Sequence, residues 1–220
     1  YNASGKVTKV TDFDGESIQR EYNVLNRPSK AIDKEGRETL LTYDSMWNLA
    51  RVTAPDRGQT TYIYNEHNLL SRVKHADGSK VRYTYDANGN RTGEEDENGA
   101  KTRFTYDALG RVVEVNGEEG LHYAYRYDGE GNLIHAEDAL GNTVSMEYDA
   151  NGNLVKETSP LGESRSYTYT PLGDVESITD EAGRRIRYSY HPGGQLKAIC
   201  YPDGREEAFA YDANGNLESH

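Results

Sequence analysis

Residues 148–154 read Tyr-Asp-Ala-Asn-Gly-Asn-Leu, and close copies of this string return along the whole chain at one fixed interval. An unbroken period of 21 residues is typical of an architecture in which each repeat is one supersecondary unit. We therefore interpret residues 1–220 as a single array of about ten repeats with a partial eleventh unit. The units begin at Tyr1, Tyr22, Tyr43, Tyr64, Tyr85, Tyr106, Tyr127, Tyr148, Tyr169, Tyr190 and Tyr211.

Two turns are predicted in every repeat. With the tyrosine as position 0, position 1 is Asp or Asn in nine of eleven copies and position 4 is Gly in eight. A second such string ends in Gly at position 14 in nine of ten copies. A short polar side chain first and a glycine fourth favour a type I turn followed by a left-handed residue. The predicted structural turn residues include Asp86, Gly89, Asp107, Gly110, Asp128, Gly131, Asp149, Gly152, Asp212, Gly215, Gly99, Gly141 and Gly183.

The residues between the turns predict antiparallel strands. Apolar or aromatic side chains alternate with polar ones ahead of each tyrosine, as at Val81, Tyr83 and Tyr85. The other strand has apolar residues at positions 6 and 9, and this three-residue gap predicts a bulge or corner beside the first turn. No stretch keeps the apolar period of a helix. We expect an all-β fold of tandem β-hairpin repeats forming a curved antiparallel sheet, an arc or spiral segment of a β-shell.

The aromatic rows allow two interpretations. They predict a cross-strand ladder that stabilises the sheet by about 0.2–1 kcal/mol per pair, and wherever the rings are exposed they could instead bind sugars. The residues concerned are Tyr83, Tyr85, Phe104, Tyr106, Tyr125, Tyr127, Tyr148, Tyr167, Tyr169, Tyr188 and Tyr190.

Composition narrows the range of partners. The formal net charge of −12 argues against a nucleic acid or an anionic membrane surface, since both favour a cationic face. Apolar runs are far shorter than the ~20 residues of a membrane-spanning helix, so no membrane insertion is expected. Cys200 is the only cysteine, which excludes an internal disulfide, and free cysteines are usually buried, so we expect a buried or half-buried thiol.

No residues form a convincing catalytic, cofactor or metal site. The Asp, Asn, Asn series at residues 149–153 and 86–90 faintly resembles a calcium loop, but turn chemistry explains it better. The histidines (His67, His75, His122, His135, His191 and His220) share no metal-ligand spacing. Cys200 with His191 lacks an orienting third group, and the acidic run at residues 94–97 is typical of a solvated turn. We predict that the chain is not an enzyme.

The repeated strings at residues 85–90, 106–111, 148–154 and 211–216 resemble the RHS or YD repeat family over the whole chain. The resemblance implies a β-strand shell like those of bacterial Rhs polymorphic toxins, insecticidal Tc toxin cocoons and teneurins. It also implies secretion or cell-surface display and, in bacterial members, a C-terminal toxin held inside until delivery. The Asp-Pro-x-Gly-like element that releases the toxin has only one weak counterpart, residues 170–173, where Thr170 replaces the aspartate.

Two functional hypotheses follow. The first is a non-catalytic shell segment, cut from a larger protein, whose partners are the remaining repeats and a C-terminal cargo domain of its parent chain. The alternative is an extracellular carbohydrate-binding or cell-adhesion module that uses the tyrosines. A shell should hide the rings of Tyr83, Tyr85, Phe104 and Tyr106 or line a concave wall with them, whereas a glycan site needs some of them exposed in a groove.

Overall fold

The computed structural model describes residues 1–212 and 214–219, so Ala213 of the last turn motif and His220 lie outside the described residues. Apart from one three-residue 3-10 helix at Glu118–Gly120, every regular element of the described residues is a strand. The strands are β1 Lys9–Thr11, β2 Ser17–Tyr22, β3 Pro28–Ile32, β4 Glu38–Tyr43, β5 Leu49–Thr53, β6 Gln59–Tyr64, β7 Leu70–Lys74, β8 Lys80–Tyr85, β9 Arg91–Glu95, β10 Lys101–Tyr106, β11 Val112–Gly117, β12 His122–Tyr127, β13 Leu133–Asp138, β14 Thr143–Tyr148, β15 Leu154–Thr158, β16 Ser164–Tyr169, β17 Val175–Thr179, β18 Arg185–Tyr190, β19 Leu196–Cys200, β20 Glu206–Ala208, β21 Ala210–Tyr211 and β22 Leu217–Ser219.

The chain forms two compact units. The first contains Tyr1–Gly110 with Gly117–Glu119, and the second contains Arg111–Asn116 and the described residues from Gly120 onward. Within each unit, strands that follow one another in sequence pair antiparallel, as β6 does with β7 and β16 with β17. Pairing of sequence neighbours through short turns gives an up-and-down meander. The prediction of an all-β fold built from antiparallel hairpins is confirmed.

A β-bulge accompanies the first turn of the repeat. Glu147 pairs with Lys156 but the next residue, Tyr148, pairs with Leu154, so Val155 is left over opposite this step. The same shift precedes Tyr64 and Tyr190. The three-residue gap between positions 6 and 9 of the sequence pattern therefore corresponds to a bulge, as predicted. The extra residue of the bulge lets the side chains at positions 6 and 9 lie on the same face of the sheet.

In several strands ahead of a repeat tyrosine, such as β4, β10 and β18, half-buried and exposed side chains alternate. In β10 the side chains of Thr102, Phe104 and Tyr106 are half-buried and the intervening ones are exposed. Full burial is rare among the described residues: Val73, Val81, Ala198 and Ser177 alone are less than 9% exposed. These units are thus held together by strand pairing and one-sided packing more than by an enclosed hydrophobic core.

Candidate functional site

The first turn of the repeat is organised by one carboxylate. At residues 149–153 the Asp149 amide donates to the Asn153 carbonyl over 2.9 Å, and the Gly152 amide donates to the Asp149 carbonyl over 3.0 Å. Oδ1 of Asp149 accepts the amides of Asn151 and Asn153, each at 2.9 Å. Oδ2 accepts Nδ2 of Asn153 at 3.0 Å. Both oxygens that could have bound a calcium ion are therefore used by the turn itself.

These donors change the acidity of the turn aspartates. The Asn153 side-chain amide, followed by backbone amides, lowers the pKa of Asp149, because each bond favours the ionised carboxylate. Asn90 and Asn132 lower the pKa of Asp86 and Asp128 in the same way. The carboxylate form is thus the one that the folded turn stabilises.

The fourth residue of each turn is left-handed whether or not it is glycine. Gly152 has a φ of +82°, and the other predicted turn glycines have φ values of 77° to 98°. In repeats without this glycine, Asn26, Trp47 and Asn68 take its place with φ values of 59°, 65° and 63°. The left-handed geometry is therefore kept where the residue is not glycine. The rest of the sheet must offset the conformational cost of a positive φ at these residues.

The repeat tyrosine makes a contact that sequence reasoning missed. Its hydroxyl donates to the backbone carbonyl 15 residues earlier, at position 6 of the preceding repeat, as Tyr85 does to Leu70 over 2.7 Å. The other bonds of this kind, each 2.7–3.1 Å long, join Tyr22 to Val7, Tyr43 to Pro28, Tyr64 to Leu49, Tyr106 to Arg91, Tyr127 to Val112, Tyr169 to Leu154 and Tyr190 to Val175. We call this contact the tyrosine bridge; at these eight tyrosines it ties a repeat to the one before it.

Partial burial accompanies the bridge. Desolvation raises the pKa of the hydroxyls of Tyr64, Tyr85, Tyr169 and Tyr190. The neutral hydroxyl is the donor in the bridge, so the folded state favours the protonated form. A signal was present in the sequence, since no copy of position 0 is Phe, which would fill the same space without a hydroxyl.

All eleven residues of the aromatic rows are half-buried. Directly across the strands, Tyr167 faces Ile178 and Tyr188 faces Ile199. At these two places an aromatic ring is paired with an aliphatic side chain, whereas Tyr83 faces Glu94. Arg91 adds a cation–π contact, with its guanidinium 5.6 Å from the ring centre of Tyr83 and 4.9 Å from that of Phe104.

The other candidate residues from the sequence are Cys200 and the acidic run at residues 94–97. The expectation of a buried or half-buried thiol is wrong: Cys200 is exposed at the end of β19, opposite the exposed Arg187 and Glu206. Oε2 of Glu94 lies 3.1 Å from Nη1 of Arg91, and Oε1 of Glu97 lies 3.3 Å from Nε2 of His75. Two carboxylates of the acidic run therefore have polar side-chain partners.

Residues 170–173, the nearest counterpart of a self-cleaving element, form an ordinary repeat turn. The Thr170 amide donates to the Asp174 carbonyl over 2.8 Å, and the Thr170 hydroxyl accepts the Leu172 and Asp174 amides over 3.3 and 3.2 Å. The hydroxyl thus takes the role that a carboxylate has in other copies. Among the described residues no cluster of three or more His, Cys, Asp or Glu side chains could hold a metal ion. No helix there is long and apolar enough to cross a membrane.

Two solved toxin structures have a fold similar to that of this chain. Over 86% of its length this chain is similar to part of the Photorhabdus luminescens Tc holotoxin pore, with a TM-score of 0.56 and 14% identity. It is similar over 99% of its length to the TcdB2-TccC3 complex solved without its hypervariable C-terminal region, with a TM-score of 0.52 and 13% identity. The chain spans only 13% and 17% of those two solved chains. No curated protein matches it.

Family comparison agrees with the geometry. Residues 56–159 match the teneurin YD-shell, and residues 148–185 match the RHS repeat. The first match includes the turns at Gly89 and Gly152 and the bridge from Tyr85, and the second includes the bridges from Tyr169. Residues 56–185 are therefore similar to the repeats of the teneurin YD-shell and RHS models.

Proposed function

We propose that this chain is a non-catalytic wall segment of an RHS/YD shell, curved as an arc or spiral, which encloses or scaffolds a C-terminal toxin or other domain of its parent chain. We further propose that the array is continuous through residues 1–220 and that the parent protein is secreted or displayed at a cell surface. One observation carries the proposal. The same tyrosine bridge joins repeat to repeat in both units while few side chains are fully buried, as a wall requires and a compact globular domain does not.

The related structures support this assignment. The TcdB2-TccC3 complex that was solved without its hypervariable C-terminal region belongs to a protein that has such a region. By contrast, no observation favours the glycan-binding alternative. A glycan site needs some of the rings of Tyr83, Tyr85, Phe104 and Tyr106 exposed in a groove, and all four are half-buried.

Limited proteolysis of the intact parent protein tests the proposal. If the repeats enclose the C-terminal domain, that domain should resist protease at concentrations that digest it when it is expressed alone. Replacing Tyr85 and Tyr106 together by Phe should weaken two bridges and speed its digestion. A C-terminal domain that is cut equally fast in the intact protein and alone would refute the enclosing role.

A further inference from the structure

One face of the first unit concentrates positive charge, although the chain as a whole is acidic. We define the basic face by six exposed side chains on strands β5 to β10: Arg51, Arg72, Lys74, Lys80, Lys101 and Arg103. The strand register places them on one side. Thr61 of β6 faces both Arg51 and Lys74, and directly opposite residues of paired strands share a face.

The register extends this face through β8, β9 and β10. Arg72 is opposite Arg82, and Lys74 is opposite Lys80. Arg82 is in turn opposite Glu95, which faces Lys101. All of these residues belong to the first unit.

Acidic side chains on the same face do not neutralise its positive charge. Glu95 is the one acidic side chain that the described strands β5 to β10 place on it, and it is paired with Arg82. The six side chains of the basic face have no ion pair among the described residues. Like charges directly opposite one another destabilise a sheet. An anionic partner would remove that cost.

The second unit shows that the repeat does not demand this charge. There the position of Arg72 is occupied by Lys156, which is 3.0 Å from Glu147, and by Ser177 and Ala198. The charge is therefore concentrated in the first unit, and in the second unit Arg185 and Arg187 of β18 keep part of it.

A hollow in the face lies over Gly93. Other repeats have a side chain at this position, such as Arg72, but here its absence leaves an open cavity of about 400 Å³. Lys101 and Arg103 line it together with Glu94 and with Arg82 and Glu95, which pair with each other. A Cβ on Gly93 would lie 2.6 Å from Oγ1 of Thr84, so a side chain here would require the Thr84 side chain to move. The hollow is large enough to admit a carboxylate beside Lys101 and Arg103.

We propose that the basic face binds an extended acidic segment of the polypeptide that the shell encloses, with one carboxylate seated over Gly93 beside Lys101 and Arg103, the two cations lining the hollow that have no ion pair with a described residue. This identification of the partner rests on the proposed function. Spacing supports a peptide: Arg72 and Lys74 are two residues apart on one strand, about 6.6–7 Å, which is also the spacing of carboxylates along one side of an extended chain. Guanidinium groups bind carboxylates through paired hydrogen bonds. A nucleic acid fits less well, because the net charge of −12 repels a dense polyanion.

Fluorescence anisotropy with this chain tests the proposal. The probe is a labelled peptide of alternating Glu and Ser, with an alternating Lys and Ser peptide and a single-stranded oligodeoxynucleotide of equal net charge as comparisons. The acidic peptide should bind saturably, and added NaCl should weaken it. Arg72→Glu with Arg103→Glu should weaken binding by about tenfold or more, since charge reversal at a complementary surface affects partner choice directly.

Arg187→Glu is the matched control, because Arg187 has the same repeat position as Arg103 but lies in the second unit. Circular dichroism establishes that each variant is folded, and Arg103→Gln, which removes charge without reversing it, should give an intermediate loss. The proposal fails if the acidic peptide does not bind, if Arg187→Glu weakens binding as much as the double variant, or if the oligonucleotide binds more tightly.

The two proposals fail in different ways. Peptide binding by the chain together with an unprotected C-terminal domain in the parent protein would refute enclosure, and with it the enclosed source of the acidic segment. Protection of that domain without peptide binding would refute the acidic partner and leave the shell intact.

Discussion

Replacing Tyr85 by Phe removes one tyrosine bridge and leaves the ring in place. The hydroxyl of Tyr85 donates to the Leu70 carbonyl over 2.7 Å, which is the most common length of an O–H···O bond. A hydrogen bond of this kind contributes about 0.5–1.5 kcal/mol to stability net of solvation. Because the side chain is half-buried, water can reach part of the orphaned carbonyl, and we expect a loss near the middle of that range, about 1 kcal/mol.

Urea denaturation of the first unit measures this loss, and the thermal midpoint should fall by about 4 °C for a unit of this size. Tyr83→Phe is the matched control. Tyr83 lies two residues away on the same strand and is also half-buried, but its hydroxyl has no hydrogen bond to any described residue. The reasoning would be refuted if the two variants had the same stability, or if Tyr85→Phe unfolded at the same urea concentration as the parent chain.

Three further predictions concern the turns, the thiol and pH. Gly152→Val should lower the free energy of unfolding by about 1–3 kcal/mol because φ is +82°. Hydrogen exchange should accelerate around residues 145–170 before it does elsewhere. The control Gly129→Val, at a turn residue without positive φ, should have little effect, and equal exchange in both variants would count against the turn assignment. Cys200→Ser should leave circular dichroism and thermal stability nearly unchanged since the thiol is exposed, and a marked loss of either would contradict this. The pKa values of Asp86, Asp128 and Asp149 are lowered in the folded state, so the stability they contribute is present above the unfolded value of about 4 and lost as pH falls through the folded values; an acid titration by circular dichroism should show Asp149→Asn to be less sensitive to pH in that range than the parent chain.

The turns and strands were predictable because their causes are local. An Asp four residues before an Asn and three before a Gly contains the whole hydrogen-bonding pattern of residues 149–153 within five positions. The bulge was predictable for a similar reason, since a break in strict alternation must be absorbed within one hairpin. These features need no knowledge of which strands are neighbours.

The tyrosine bridge and the partners of the aromatic rings depend on register, which the period alone does not give. The acceptor of Tyr85 is a backbone carbonyl, and every residue has one, so no side-chain pattern marks Leu70 as the partner. Register also decides that Tyr188 faces Ile199 and not another ring. The basic face escaped notice because Arg72 and Lys80 contribute to it only once β7 and β8 are paired.

The error at Cys200 has a different origin. Free cysteines are buried on average because the thiol is a small apolar group. Cys200 is the last residue of β19, opposite the exposed Arg187 and Glu206, whereas Ala198 on the same face is buried. The exposure of Cys200 therefore depends on its neighbours across the strands, which neither residue type nor alternation gives.

Electron cryomicroscopy of the intact parent protein tests the central claim most directly. The account predicts that residues 1–220 form a stretch of curved wall in a hollow shell, with the turn carboxylates and tyrosine bridges repeated along it and density for another domain inside. A map in which these repeats pack as a solid domain, or surround no other part of the protein, would contradict it.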